Sequence, residues 1–134
     1  MREAIIGAEK HLFRVIRCIE SFLHPLHDGV HTVTLQSFLA ALVNEMVRRV
    51  RIERVRKKTK HKVPEWMRLT DKQIESFVSM LLPSVIYSAF STVESSLPSC
   101  ILRYLAFLAP NLVLPRVLDL YVAILQTFVQ NSFE

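Results

Sequence analysis

Residues 69–90 read LTDKQIESFVSMLLPSVIYSAF. Ile74, Phe77, Val78, Leu81, Leu82, Val85, Ile86 and Phe90 recur at three- and four-residue steps. That spacing stacks side chains on one face of an α-helix. Thr70 stands where an N-cap belongs, and Gln73 three residues later completes a capping box. Pro83 falls inside the run. An interior proline removes one backbone hydrogen bond and kinks the helix, a penalty of roughly 3 kcal/mol. The sequence therefore predicts either packing that favours a bend at Pro83 or a helix divided there.

Downstream, STVESSLPSC (residues 91–100) is a polar connection, and Pro98 suits the first turn of a new helix. That helix runs through PSCILRYLAFLA and stops at Pro110. A further helix is expected from about 112–115 to about Val129. Its stripe is Val117, Leu118, Tyr121, Ile124, Leu125 and Phe128. LVLPRVLDLY repeats the apolar-Pro-x-apolar pattern of LLPSVIY about thirty residues on, an interval that fits arrays of helix pairs.

Upstream, a first helix is expected over about Arg2–Leu23, with Ile5, Leu12, Val15, Ile16, Ile19 and Leu23 as its stripe. HPLHDG breaks it, through Pro25 and Gly29. A second helix starts near Val30, with Asp28 as a candidate N-cap. Leu35, Phe38, Leu39, Leu42, Met46 and Val50 form its expected contact strip. The whole reads as all-α, a HEAT/armadillo-like α-solenoid fragment of about five antiparallel helices. It is one helical-repeat segment, 1–134, with a basic connection at about 56–70 closed by Pro64. Both ends carry apolar helices, so the expectation is a section of a longer array.

Composition agrees with this class. Apolar residues make up 51% of the 134-residue chain, too many for a disordered one, and only Gly7 and Gly29 could serve tight hairpins. Region 100–129 is the most apolar but contains Arg103, Pro110, Pro115, Arg116 and Asp119. No clean stretch approaches ~18 residues, so no membrane partner is expected. The N-terminus intersperses charge at helical intervals, unlike a signal peptide. Cys18 and Cys100 lack CxxC spacing and read as free, buried thiols in a reducing compartment.

Charge is unevenly placed. Residues 48–62, RRVRIERVRKKTKHK, hold nine Lys/Arg against Glu53 alone, while the rest of the chain is slightly acidic. Arg48, Arg49, Arg51, Arg54, Arg56, Lys57, Lys58, Lys60 and Lys62 are thus the candidate anion- or partner-binding residues. A solvated helix end and loop, an anionic ligand or acidic partner, and a localisation signal or nucleic-acid contact all remain open. The run lacks interleaved aromatics before Trp66, which disfavours nucleic acid. Glu45–Arg49 and Glu53–Lys57 are expected ion pairs at four-residue spacing, and Trp66 is expected to anchor the connection on the helical body.

Chemistry-bearing patterns are missing. His24, His27 and His31 with Asp28 straddle a turn and match no standard zinc spacing, so no metal is expected. Ser95, Ser96 and Ser99 lack elbow glycines. Cys100 lies on an apolar helix, no glycine loop could cradle phosphate, and the carboxylates are scattered. The reading is a non-enzymatic protein without a cofactor.

HTVTLQSFLAALVNEMVRRVRIER, LTDKQIESFVSMLLPSVIYSAF and LRYLAFLAPNLVLPRVLDLY resemble the family of large HEAT-repeat proteasome activators, that of the activator complex subunit 4, from about His31 onward. The resemblance implies an interior piece of a helical dome that caps the 20S core particle. Such a dome promotes ubiquitin-independent degradation of peptides and proteins without being a protease. It also implies nuclear and cytoplasmic residence, and an inositol polyphosphate in a basic opening. Family members dock through a C-terminal aromatic-containing tail. QTFVQNSFE does not look like that tail, so docking is not expected through this C-terminus.

Overall fold

A computed structural model describes residues 2–24, 30–55, 63–90 and 96–132, with side chains from Lys10. Five α-helices follow one another: α1 (Arg2–Glu20), α2 (Thr32–Arg54), α3 (Asp71–Ser88), α4 (Leu97–Leu108) and α5 (Pro110–Asn131). Short 3-10 turns lie at Ser21–Leu23 and Glu65–Met67. The described residues contain no strand. Asp28, the expected cap of α2, lies outside them; His31 occupies the N-cap position without a side-chain bond.

The capping box forms as the sequence predicts. Thr70 Oγ1 accepts from the Gln73 backbone N–H at 3.3 Å, and the Thr70 N–H donates to Gln73 Oε1 at 3.0 Å. Two otherwise orphaned donors are satisfied, which fixes where α3 begins. Pro83 does not divide the helix. Leu81, Leu82 and Val85 around it are buried, and each contributes about 1.5–3 kcal/mol. Together they exceed the roughly 3 kcal/mol penalty of the proline.

α4 ends at Leu108 because Pro110 forces the residue before it out of the helical region. Ala109 takes φ −145°, ψ 75° and is the whole connection to α5. Pro110 then starts α5 with its ring already at helical φ, so this helix begins two residues ahead of the expected range.

α2 packs along α4, α1 touches α3, and α3 touches α5. α4 also packs on α3 and on α5. The helices therefore alternate between two layers, with α1, α3 and α5 in one and α2 and α4 in the other. The core lies between them, built from Leu39, Val43, Val78, Leu81, Val85 and Ile101 among others.

Three expected faces are shifted. On α2 the buried set is Thr32, Gln36, Leu39, Val43, Val47 and Val50. Leu35, Leu42 and Met46 are half-buried beside it, and Phe38 is 45% exposed. The strip is rotated because α4, not the apolar count, determines which side faces inward. On α1 Val15 is exposed, and Cys18 lies on the outer face. Both cysteines are free, but Cys100 is only half-buried. On α5 Val113 alone is buried; Leu118, Tyr121, Leu125 and Phe128 of the expected stripe are exposed. Because α5 runs unbroken through Pro115, it is long and apolar enough to cross a membrane by length and composition. A helix packed inside protein passes the same test, although only 6% of this window is buried here.

Candidate partner-binding edge on the second helix

α2 projects four of the nine candidate cations, and each is already engaged. Arg48 is hydrogen-bonded through Nε to Glu45 at 2.9 and 3.0 Å, and its guanidinium also meets Glu45 through Nη2. The Arg48 guanidinium holds the Glu45 carboxyl below its ordinary range, and Glu45 raises Arg48 in return. Arg51 lies over the Phe107 ring at 4.8 Å, a cation–π contact tying α2 to α4.

Arg49 and Arg54 hold down the connection that returns from the basic segment. Arg49 Nε donates to Glu53 Oε1 at 2.8 Å and its Nη2 to the Met67 carbonyl at 2.9 Å. Glu53 Oε2 accepts from the Leu69 N–H at 2.9 Å, and the Glu53 side chain is only 1% exposed. Arg54 donates to the Leu69 carbonyl at 3.1 Å and pairs with Asp71 Oδ1 at 2.6 Å. The carboxylate of Glu53 thus joins one helical arginine to the backbone just ahead of α3. A buried charge of this kind is tolerated when both oxygens are bonded.

Between α2 and this connection lies an open groove of about 340 Å³. Ile52, Val63 and Met67 supply apolar walls, and Glu45, Arg48 and Arg49 line it with charge. Arg56, Lys57, Lys58, Lys60 and Lys62 fall outside the described residues.

The expected pairings differ from the observed ones. Glu45 takes Arg48, one residue nearer than Arg49, and Arg49 is drawn to Glu53. The Glu53–Lys57 pairing lies outside the described residues. Trp66 does not anchor the connection: it is 66% exposed. Half-buried Leu69 and the hydrogen bonds to Arg49, Glu53 and Arg54 do that work instead. The four-residue spacing of Arg49 and Glu53 was a usable signal; the capture of the Leu69 N–H had none. Of the histidine group, His27 and Asp28 lie outside the described residues, while His24 stacks on Tyr87 at 6.2 Å between ring centres.

Alternating layers of short-linked amphipathic helices define a segment of a helical-repeat solenoid. Sequence comparison narrows the class: the chain belongs to the family described as proteasome activator complex subunit 4, mid HEAT repeats region, matching it over residues 12–132. It is 33% identical to proteasome activator complex subunit 4 of Homo sapiens over 123 residues, 91% of this chain. The Bos taurus relative gives the same values. Subunit 4B of Danio rerio is 31% identical over 124 residues, 92% of this chain. In each case the match spans 7% of the relative's length.

Proposed function

We propose that this chain is a structural section of a HEAT-repeat proteasome activator, one that caps the 20S core particle and promotes ubiquitin-independent degradation of peptides and proteins. The observation that carries the reading is the family match over residues 12–132, which covers all five helices in whole or in part. The section acts by shape: its buried core holds the register between layers, and it performs no chemistry. Nuclear and cytoplasmic residence goes with this reading.

A second reading rests on the cationic edge. An acidic protein surface or a polyanion, an inositol polyphosphate included, would meet the nine cations of residues 48–62. Arg48, Arg49, Arg51 and Arg54 would have to exchange their present partners, so Arg56, Lys57, Lys58, Lys60 and Lys62 carry more of this reading.

Co-sedimentation of the chain, and of the full-length protein that carries it, with 20S particles at low salt tests the first reading. Association of the full-length protein is expected; its absence refutes the reading. Binding to a polyanion that weakens steeply across a salt series, without 20S association, would favour the second.

A further inference from the structure

Two hollows open along the C-terminal half of α2, sharing Arg48 and Ile52, and they differ in charge. The groove beside the returning connection is lined by two arginines and two glutamates, so its charges balance. The second hollow, of about 170 Å³, is lined by Asn44, Val47, Arg48, Arg51 and Ile52. Among the described residues no acidic side chain lines it. Its described lining is all from α2, and it adjoins the Arg51–Phe107 contact to α4, so neither α1 nor α5 shapes it.

Asn44, Arg48 and Arg51 follow one another at steps of four and three, which places them on one face of the helix. All three are exposed. Arg48 shares its charge with Glu45. Arg51 makes no ion pair among the described residues, and its guanidinium is held over the Phe107 ring. A ring against a guanidinium takes up its face and leaves free the N–H donors, which radiate in its plane. The same contact restricts a long side chain, so less freedom is lost when a ligand binds. Arg51 is a donor fork held ready for an acceptor.

The ligand's chemistry follows from the charges and the walls. Arg48, Arg51 and the nearby Glu45 together carry one net positive charge. A carboxylate has one negative charge and planar acceptor oxygens, and it meets the edge of a guanidinium through two parallel bonds. A phosphate group carries about −1.5 to −2 near neutral pH and would leave excess negative charge beside Glu45. Val47 and Ile52 supply apolar wall, and half-exposed Phe107 extends it. The methylenes of an acidic side chain cover such a wall; a polyphosphate has none to offer.

We propose that Asn44, Arg48 and Arg51 form a pocket for a single acidic side chain, glutamate or aspartate, of a partner protein. This rests on the acidic-partner form of the second reading and narrows it to one pocket. A polyanion large enough to draw in all four α2 arginines would displace their present contacts; one carboxylate meeting Arg51 edge-on displaces none. The run of cations at 48–62 attracts an acidic segment over longer range, and the pocket then fixes its position.

The test uses the 134-residue chain and a short fluorescent peptide of alternating glutamate and alanine, titrated at low salt and read by anisotropy. Arg51→Met should weaken binding about tenfold, and Arg51→Lys about fivefold, because lysine keeps the charge and lacks the fork. Arg103→Met removes a charge one turn from Phe107 on α4 but outside the hollow, and should weaken binding less than about twofold. Helical circular dichroism should be unchanged in all three, since both arginines are exposed. In the parent, the peptide should shift the Arg51 Nε–Hε resonance. Equal binding by the parent and Arg51→Lys shows that charge alone is read; it overturns the pocket and leaves the second reading standing. An equal loss in Arg51→Met and Arg103→Met does the same. A shift of the Arg51 resonance by inorganic phosphate and not by the peptide makes this a phosphate site and overturns the carboxylate assignment. Absence of any peptide binding at low salt removes the second reading together with the pocket.

Discussion

Replacing Glu53 with alanine removes the carboxylate that joins Arg49 to the Leu69 N–H. The magnitude follows from what each partner loses. The Leu69 N–H is left in a part-buried position without its acceptor, and a hydrogen bond to a charged group is worth about 1.5–3 kcal/mol. Arg49 is half exposed and keeps the Met67 carbonyl, so its lost ion pair adds at most about 1 kcal/mol. The expected destabilisation is therefore about 1.5–4 kcal/mol. Glu53→Gln keeps an oxygen for Leu69 and loses only the charge, so about 1 kcal/mol is expected. Urea unfolding followed by circular dichroism at one fixed protein concentration measures both. Amide exchange at Leu69 should accelerate in the alanine variant and less so in the glutamine variant. If Glu53→Ala stays within about 0.5 kcal/mol of the parent, the ordinary range for a surface change, and Leu69 exchange is unchanged, the connection is not held by Glu53.

Gln36→Leu should stabilise the chain by about 1–2 kcal/mol, because both amide atoms of Gln36 are buried without a partner among the described residues; a loss of stability in urea unfolding would show that the amide is satisfied. Thr70→Ala should destabilise by about 1 kcal/mol through loss of the cap, read as increased amide exchange in the first turn of α3. Trp66→Ala should change stability by less than about 0.5 kcal/mol, and the parent's tryptophan emission should be that of a water-exposed indole. The Glu45–Arg48 pair gives a pH dependence whose sign is fixed. A carboxyl depressed in the folded state adds stability above its unfolded value of about 4.3, and that increment disappears as pH falls through the folded value. Glu45→Gln should remove this part of the acid-side decline, and salt should diminish it in the parent because both groups are exposed.

What was legible in the sequence follows from which physical rule decides each element. Thr70 and Gln73 were readable because a cap is local: the residues that make it lie three apart. The α3 stripe from Ile74 to Val85 was readable because this helix is covered by α4 and by its layer neighbours, so most of its apolar side chains are buried. Phe38 was misplaced because periodicity shows that a face exists and not which neighbour it meets. Val43, Val47 and the polar Gln36 won the inner position when α2 packed on α4. The α5 stripe was correctly read as amphipathic; within this chain most of it is exposed, since spacing carries no information about which partner covers a face. At the candidate edge, the cations of residues 48–62 are visible as a run, yet Arg49, Arg51 and Arg54 are engaged by Glu53, Phe107 and Leu69, fifteen or more residues away for the last two. Such contacts depend on the returning chain, which no local pattern encodes. Trp66 illustrates the converse: an indole next to proline suggests an anchor, while half-buried Leu69 beside it takes that place.

The central claim is that these helices form two alternating layers with α3 and α4 at the middle of the core. Amide hydrogen exchange resolved by residue tests it most directly, since protection reports the free energy of opening each helix. The slowest amides should lie in 77–86 and 101–106, with α1 and the α2 residues 51–54 exchanging faster. Exchange over 77–86 as fast as over residues 10–20 would contradict the layered core.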